Sequence, residues 1–204
     1  MLNISHIKFA ILNLLFYNIY MRIIAGKFKG TNLLEFDYDN IRPTIDRVKE
    51  GIFNKIQFNI DGSKVLDLFA GTGNISLEFL SRGADSVTLC DNNPNSIKLI
   101  IQNFKKCRLS PNLKEGDFKK VLKSLQGQKF DFIFLDPPFD TDYGEAALQL
   151  IAKYALLEHD GMIIYEHLLD KSYTIPAVFI KVDERKYGTV MVTYVGYYDE
   201  NCQY

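Results

Sequence analysis

Residues 65–76 read Val65-Leu-Asp-Leu-Phe-Ala-Gly-Thr-Gly-Asn-Ile-Ser76, which predicts a buried strand, a glycine-containing turn and the start of a helix. Gly71 and Gly73 let the backbone approach a ligand closely, and the helix N-terminus offers free N–H groups. Ser76 occupies the third glycine position of the dinucleotide fingerprint GxGxxG, which disfavours an NAD-dependent oxidoreductase. Asp67 would repel a pyrophosphate but suits a cationic ligand. The turn therefore favours S-adenosylmethionine (SAM), which carries a sulfonium and an ammonium group, although a purely structural turn is the alternative.

Strand and helix patterns alternate regularly from residue 63 onward. Strand-like runs occur at Lys64–Phe69, Ser86–Cys90, Asn112–Glu115, Phe130–Leu135 and Gly161–Tyr165. Helical patterns lie between them, at Ile75–Ser81, Pro94–Lys106, Phe118–Leu125 and Glu145–Leu156. This alternation predicts an α/β fold, Rossmann-like, with a doubly wound and mostly parallel sheet. Two β-rich segments, 177–184 and 188–198, predict a C-terminal antiparallel hairpin at the sheet edge.

Acidic residues follow the second and third predicted strands. An acid at the position of Asp91, beside Asn92, commonly accepts hydrogen bonds from both hydroxyls of a ribose. Asp117 is placed to bond an adenine amino group, with Phe118 stacking on the ring. Loop aspartates are common, so each signal alone is weak. Together with Asp67 they place three acids at the carboxyl ends of adjacent strands, where ligands of open α/β sheets bind.

The fourth strand is followed by Asp136-Pro137-Pro138-Phe139. The prolines fix φ and remove backbone donors, so the turn is stiff and its carbonyls are free to accept hydrogen bonds. This corner suits an exocyclic amine on a planar ring that stacks on Phe139, which points to chemistry on a nucleobase. A strand end with an ordinary turn is the simpler interpretation.

Composition limits the classes of protein that fit. The chain has 204 residues, 47% of them hydrophobic, which suits one globular domain. Its net charge of -1 gives no global basic field, so a nucleic acid would have to meet a local patch. The three cysteines have no metal-ligand spacing, which argues against a disulfide scaffold or zinc site and for the cytoplasm. The three histidines cluster with no motif, and we interpret them as surface or structural residues.

The N-terminal part divides into three segments. Residues 1–20 contain a largely apolar run, Phe9–Tyr20, that is interrupted by asparagines and too short for a membrane span, and they lack a signal-peptide cleavage site. They are interpreted as an extension upstream of a natural start at Met21, or else as a packed helix. Residues 21–41 predict a small β-hairpin appendage, and residues 42–204 form the main domain. The hairpin region carries a basic turn with an aromatic, typical of a phosphate contact but also of a solvated tip: Arg22, Lys27, Phe28 and Lys29.

A helix is predicted over residues 42–58. Arg42-Pro43-Thr44 is a helix-start signature. Apolar residues then recur at three- and four-residue spacing, with Arg47 and Lys49 off that face. Gly51, inside the helix, indicates close packing or the approach of a ligand, or is merely tolerated.

Several of these stretches together resemble the RsmD family, bacterial methyltransferases of a guanine N2 amine in 16S ribosomal RNA. The resemblance runs from about Met21 to the end and is densest up to residue 139. It is carried by Met21–Gly30, Arg42-Pro-Thr-Ile-Asp-Arg-Val-Lys-Glu50 with Ile52-Phe53-Asn54, Asp67-Leu-Phe-Ala-Gly-Thr-Gly73, Ser81-Arg-Gly-Ala84 and Phe134-Leu-Asp-Pro-Pro-Phe139. Phe139 stands where the family usually has Tyr, Asn74 and Ser76 replace small residues, and Asp91 is shorter than the common Glu. Residues 1–20 have no counterpart.

The resemblance implies a class I methyltransferase that uses SAM and no metal. Asp136, Pro137 and Phe139 would hold the target amine and base. The residues implied for the cofactor are Thr44, Asp67, Phe69, Ala70, Gly71, Gly73, Asp91, Asn92, Asp117 and Phe118. Those implied for RNA are Arg22, Lys27, Phe28, Lys29, Arg42 and Arg47.

The resemblance further implies a cytoplasmic monomer with no membrane partner that acts on 16S ribosomal RNA within a small-subunit particle. Two alternatives stay open at this point. One is an adenine-N6 methyltransferase of DNA or RNA, because the Asp-Pro-Pro-Phe corner alone does not separate adenine from guanine. The other is a non-catalytic assembly factor that binds SAM and RNA. A release-factor glutamine methyltransferase has a similar core but typically begins the motif with Asn.

Overall fold

A computed structural model describes residues 21–35 and 46–198 of the chain. Its helices are α1 (Asp46–Ile56), α2 (Asn74–Ser81), α3 (Pro94–Lys106), α4 (Phe118–Ser124) and α5 (Tyr143–Tyr154). Its strands are β1 (Lys64–Asp67), β2 (Ser86–Asp91), β3 (Asn112–Glu115), β4 (Phe130–Leu135), β5 (Leu157–Leu168), β6 (Phe179–Tyr187) and β7 (Val190–Tyr197). A short 3-10 turn, Gln57–Asn59, follows α1.

The seven strands form one sheet in the order β3-β2-β1-β4-β5-β7-β6. The first five in this order are parallel, and β7 pairs antiparallel with both β5 and β6. The predicted doubly wound α/β fold and its C-terminal antiparallel hairpin are therefore confirmed. The principal difference is β5, which extends from Leu157 to Leu168 rather than over Gly161–Tyr165. The C-terminal half of β5, from Ile163 to Leu168, pairs with β7, and strand periodicity does not reveal this long-range contact.

The helices cover both faces of this sheet and divide the core into two clusters. One cluster joins α1, α2 and α3 to one face, around Phe53, Phe79 and Phe104. The other joins α4 and α5 to the opposite face. Burial on both faces explains why the central strands are almost continuously apolar, as parallel strands generally are.

The N-terminal segment returns on itself, but its predicted strands reduce to a single antiparallel bridge between Arg22 and Asn32. Three further backbone hydrogen bonds join its two arms: the Ile23 N–H donates to Thr31, the Gly30 N–H to Ile23 and the Leu33 N–H to Met21. The segment is short because its inward residues pack against the main core instead of against each other. The division of the chain at residues 20 and 41 stays a prediction, and residues 1–20 and 36–45 lie outside the described residues.

Helix α1 contacts the C-terminal hairpin closely. A Cβ atom placed on Gly51 would lie 2.0 Å from the Tyr187 hydroxyl, so only glycine lets that ring approach. Of the three interpretations of Gly51, close packing is the one the structure shows. The predicted start of this helix, Arg42-Pro43-Thr44, lies outside the described residues.

A buried charge network joins the N-terminal segment to α1 and α2. Lys49 and Glu78 are both fully buried. The Lys49 Nζ donates to the Arg22 carbonyl and, at 2.8 Å, to Asn74 Oδ1, and it lies 3.5 Å from Glu78 Oε2. Glu78 also accepts from the Arg82 Nε at 2.7 Å. The helical pattern placed Lys49 off the apolar face, yet the structure buries it, because the N-terminal segment covers it.

Glu78 completes this network with two backbone hydrogen bonds. Its carboxylate accepts from the N–H groups of Ile24 at 2.8 Å and Ala25 at 3.1 Å. The network therefore fixes the N-terminal segment in place by satisfying its backbone donors with a buried anion.

Candidate functional site

The predicted site residues meet at one edge of the sheet, at the carboxyl ends of β1, β2 and β4. Asp67 ends β1 and Asp91 ends β2, while Asp136 follows β4 directly. These strands are neighbours, because β1 pairs with both β2 and β4. The topology thus brings together acids that are far apart in the sequence, at the edge where ligands of α/β sheets bind.

The glycine turn after β1 is held by Asp91. Its Oδ2 accepts from the Gly71 N–H and its Oδ1 from the Asn93 N–H, each at 2.8 Å. Gly71 has φ of +55° and nothing within 4 Å of where a Cβ would stand, so its backbone faces open space. Gly73, at φ +75°, begins α2 and packs close to Phe104. Of the two glycines, only Gly71 therefore presents open backbone, while Gly73 packs against the core, and their predicted contact with a ligand stays a prediction.

Asp67 is almost wholly buried and accepts a 2.7 Å hydrogen bond from the Ser76 hydroxyl. Burial raises the pKa of Asp67 to about 7, although the Ser76 hydrogen bond opposes the shift. Burial also raises the pKa of Asp91, against its backbone hydrogen bonds. The sequence marked Ser76 only as a missing glycine, whereas the structure gives it the role of orienting Asp67. A nearby cation would favour ionisation of either acid.

Asp117 has a structural task in addition to its predicted one. Its side chain caps α4 and accepts from the N–H groups of Lys119 and Lys120. The neighbouring Phe118 is buried, and its ring lies between those of Phe69 and Tyr143, at centroid distances of 5.2 and 5.1 Å. The roles predicted for Asp117 and Phe118 toward an adenine stay predictions.

The corner after β4, Asp136-Pro137-Pro138-Phe139, is held in place by hydrogen bonds that involve Thr141 and Lys171. The Pro138 carbonyl accepts from the Thr141 N–H at 3.1 Å and from the Thr141 hydroxyl at 2.7 Å. Lys171 donates to the Thr141 carbonyl at 2.7 Å. Within the described part of the chain, the Pro137 carbonyl receives no hydrogen bond, so it stays available as an acceptor. Phe139 is half-buried, which leaves part of its ring exposed.

Two residues on β5 that the sequence did not single out for chemistry lie beside this corner. Glu166 and His167 are buried, and both line a small cavity with Pro137 and Phe139. Burial raises the pKa of Glu166 to about 7. Burial, together with the Glu166 and Asp67 carboxylates, raises the pKa of Asp136 well above its usual range. Only the pairing of β4 with β5 brings these groups together, which explains why no sequence pattern marks them.

His167 supports the wall of the same cavity. Its Nδ1 lies 2.9 Å from the Leu168 carbonyl, which can only accept, so Nδ1 carries the proton. Burial lowers the pKa of His167, and its Nε2 lies 2.9 Å from the Thr193 hydroxyl, which donates to Glu184 Oε1 at 3.1 Å. Tyr173 donates to the same hydroxyl. These bonds agree with the structural role expected for His167, although its place beside the corner was not expected.

The predicted RNA-binding residues of the N-terminal segment lie around one turn. Lys27 and Lys29 are exposed, and the Lys27 Nζ lies 5.4 Å from the centre of the Phe28 ring. Phe28 is half-buried and packs partly against the core, so only part of its ring could stack on a base. Arg47 is exposed on α1. Arg42 and Thr44 lie outside the described residues, and their predicted roles stay predictions.

Residues 21–35 and 46–198 contain neither a metal-ligand cluster nor a membrane-spanning helix. No group of three or more acidic, histidine or cysteine side chains there could hold a metal ion. No helix in the same ranges is long and apolar enough to cross a membrane.

Comparison with known proteins decides the family. A family model described as "Conserved hypothetical protein 95" matches residues 21–196. The ribosomal RNA small subunit methyltransferase D of Haemophilus influenzae is 34% identical over 174 residues, covering 83% of this chain and 90% of that protein. The chain belongs to the RsmD family. The Escherichia coli enzyme of the same name is 30% identical and covers 83% of this chain and 86% of its own.

Solved structures similar to this chain share a methyltransferase fold. YhhF from Escherichia coli, described as a candidate methyltransferase, superposes with a TM-score of 0.76 at 28% identity and covers 86% of this chain and 97% of its own. SMU.776, a candidate methyltransferase solved in complex with SAH, the demethylated form of SAM, superposes with a TM-score of 0.57 at 18% identity. It covers 72% of this chain and 48% of its own, and at that identity it shows the fold alone. The Rossmann-like class I methyltransferase fold is thereby confirmed.

Proposed function

We propose that this protein transfers a methyl group from SAM to the exocyclic N2 amine of a guanine in 16S ribosomal RNA. The observation that carries the proposal is the braced corner: the half-buried Asp136 carboxyl stands beside a Pro137 carbonyl that has no other hydrogen bond. Two acceptors in this arrangement match the two N–H bonds of an amine. Membership of the RsmD family and the names of its relatives support ribosomal RNA as the substrate.

The residues at the neighbouring strand ends fit SAM. Gly71 offers open backbone, and Asp91 is already oriented by two backbone N–H groups. The buried Asp67 is suited to the positive charge of the ligand, because an opposite charge favours its ionised form. Bound SAM supplies a methyl group on a positively charged sulfur that is its own leaving group.

The corner residues would act on the amine by orienting it. The lone pair of a guanine amine is delocalised into the ring, which makes it a poor nucleophile. Asp136 and the Pro137 carbonyl would accept its two N–H bonds and direct the lone pair out of the ring plane. Phe139 would stack on the base after it leaves its helix. The products are N2-methylguanine, the demethylated donor and one proton, which leaves the amine after transfer.

Positioning would supply most of the rate in this scheme. Asp136 need not be a strong base, since the proton is lost once the amine has become cationic. The brace formed by Thr141 and Lys171 matters here, because it holds the corner before substrate arrives. We further propose that the protein works in the cytoplasm as a monomer, on small-subunit particles and without a membrane partner.

A direct test compares two alanine substitutions in the same loop. Small ribosomal subunits lacking the modification are incubated with labelled SAM, and the methylated nucleotide is located by mass mapping. Asp136→Ala should lower the initial rate by roughly 100-fold or more, because a mispositioned amine reacts far more slowly. Asp140→Ala, at an exposed position four residues along, should retain the wild-type rate.

The outcome also separates binding from chemistry. Calorimetry should show that Asp136→Ala still binds SAM, since its cofactor residues are intact. Wild-type activity in Asp136→Ala would refute the role assigned to the corner. A wild-type protein that binds SAM but methylates no ribosomal RNA would instead favour a non-catalytic assembly factor.

A further inference from the structure

Strand pairing places a second carboxylate beside Asp136. In the parallel pair β4–β5, Leu135 stands opposite Tyr165. The next residue along each strand is Asp136 and Glu166, and aligned residues of neighbouring strands project from the same face of a sheet. Glu166 therefore adjoins the corner by register.

Glu166 has unused hydrogen-bonding capacity. The side chain is only 5% exposed, and its Oε2 has no hydrogen-bond partner in the described part of the chain. Leaving a buried polar oxygen unpaired costs about 1–3 kcal/mol, so native proteins rarely do so without a reason. Glu166 is also among the residues that line a small cavity with Pro137 and Phe139, next to the corner that would hold a base.

The chemistry of the two candidate bases differs at the atom next to the amine. Guanine presents N1–H beside its N2 amine, so its edge carries adjacent donors. Adenine presents an acceptor, N1, beside its N6 amine. The acceptors of the corner suit either amine, but an additional ionised carboxylate suits only guanine, because it accepts from guanine N1–H and would repel the lone pair of adenine N1.

We propose that Glu166 is the residue that selects guanine, by accepting a hydrogen bond from N1–H of the target base while Asp136 and Pro137 hold its amine. This inference rests on the proposed function and adds a specificity determinant to the same site. Glu166 contacts the base in this scheme and takes no part in breaking or forming the methyl bonds.

The test uses a base analogue that keeps the reacting amine. 2-Aminopurine has the exocyclic N2 amine of guanine but an unprotonated N1, and it is placed at the mapped target nucleotide in reconstituted small-subunit particles. Wild-type protein should prefer guanine by roughly 100-fold in kcat/KM, because a buried carboxylate would lose its donor. Glu166→Gln can donate its amide N–H to the bare N1, so the preference should fall to within about tenfold.

A matched variant, and the ratio of kcat/KM for guanine to that for 2-aminopurine, separate this role of Glu166 from a structural one. Glu158→Gln changes an exposed carboxylate on the same strand and should retain the wild-type preference. If Glu166→Gln slows both substrates equally and keeps the ratio, Glu166 only supports the fold and the inference is overturned. If wild-type protein uses both bases equally well, the inference fails even without a variant. Wild-type protein that methylates neither base would overturn the proposed function itself.

Discussion

Two buried glutamates, Glu78 on α2 and Glu166 on β5, show opposite treatments of a charge in the same core. Glu78 is fully buried and receives hydrogen bonds from two backbone N–H groups and from Arg82, with Lys49 3.5 Å away. Glu166 is nearly as buried, but one of its oxygens has no partner among the described residues. The fold supplies hydrogen-bond partners to both oxygens of the Glu78 carboxylate, whereas the Glu166 carboxylate can still accept a hydrogen bond from a ligand.

The contrast teaches how a function can be located without a ligand. Glu78 shows that this fold can supply hydrogen-bond donors and a cation to a buried carboxylate, so the unpaired oxygen of Glu166 needs a separate explanation. The under-satisfied carboxylate stands next to the Asp136 corner, at the edge where the other strand-end acids meet. Stability and function thus use the same residue type, and hydrogen-bond satisfaction distinguishes them.

The same substitution at both positions tests whether the two carboxylates differ in their contribution to stability. Glu78→Gln should lower the free energy of unfolding by about 3–5 kcal/mol, because it leaves the Lys49 charge buried without its counter-charge. Glu166→Gln should cost less than ~1 kcal/mol at neutral pH, since it changes a carboxylate whose Oε2 has no hydrogen-bond partner among the described residues. Urea unfolding of both variants measures the difference, and equal losses would remove the distinction drawn here.

The pH dependence of stability sharpens the same contrast. Burial raises the pKa of Glu166 from 4.5 to about 7 in the folded protein. A carboxyl whose pKa is raised by folding contributes stability that is fully present below pH 4.5 and is lost as the pH rises through 7. Asp67 and Asp136, which lie near it, shift in the same direction.

We therefore expect Glu166→Gln to gain on the wild type as the pH rises. Between pH 5 and pH 8 its unfolding free energy, relative to wild type, should improve by ~1–3 kcal/mol. Urea midpoints at the two pH values give this difference, and Glu158→Gln, which alters an exposed carboxylate, should show none of it. A Glu166→Gln curve parallel to wild type would mean that Glu166 titrates as it does in the unfolded chain.

Much of the fold and part of the site follow from local sequence. The strand ends that carry Asp67, Asp91 and Asp136 are marked by apolar runs that stop at an acid, and the parallel order of their strands follows from alternation. The glycine turn is predictable because Gly71 and Gly73 supply the positive φ values that the turn requires.

The remaining features depend on contacts between distant segments. Lys49 follows an ordinary helical pattern, and only the covering N-terminal segment makes it a buried cation. Glu166 lies within an apolar strand, and its importance emerges only from the β4–β5 register. Likewise, Ser76 matters because α2 folds back over the end of β1 and brings its hydroxyl to Asp67.

The smallest effect is expected at a third carboxylate, Asp183 on β6. It tests whether the number of cationic partners or the burial of a carboxylate sets its contribution to the free energy of unfolding. Asp183 lies 2.7 Å from the Lys55 Nζ and 3.0 Å from Arg185, so it has two cations against the unpaired oxygen of Glu166. Both partners are partly exposed, and water competes for exposed pairs. Asp183→Asn should therefore cost less than ~1 kcal/mol by urea unfolding, and the cost should shrink further in 1 M salt, roughly as the Debye length shortens. A loss as large as that of Glu78→Gln would show that partner count alone sets the contribution of a carboxylate. A small loss would show that burial sets the contribution of a carboxylate. Glu166, which is buried and whose Oε2 has no partner among the described residues, is then the carboxylate whose ionisation a ligand can change most.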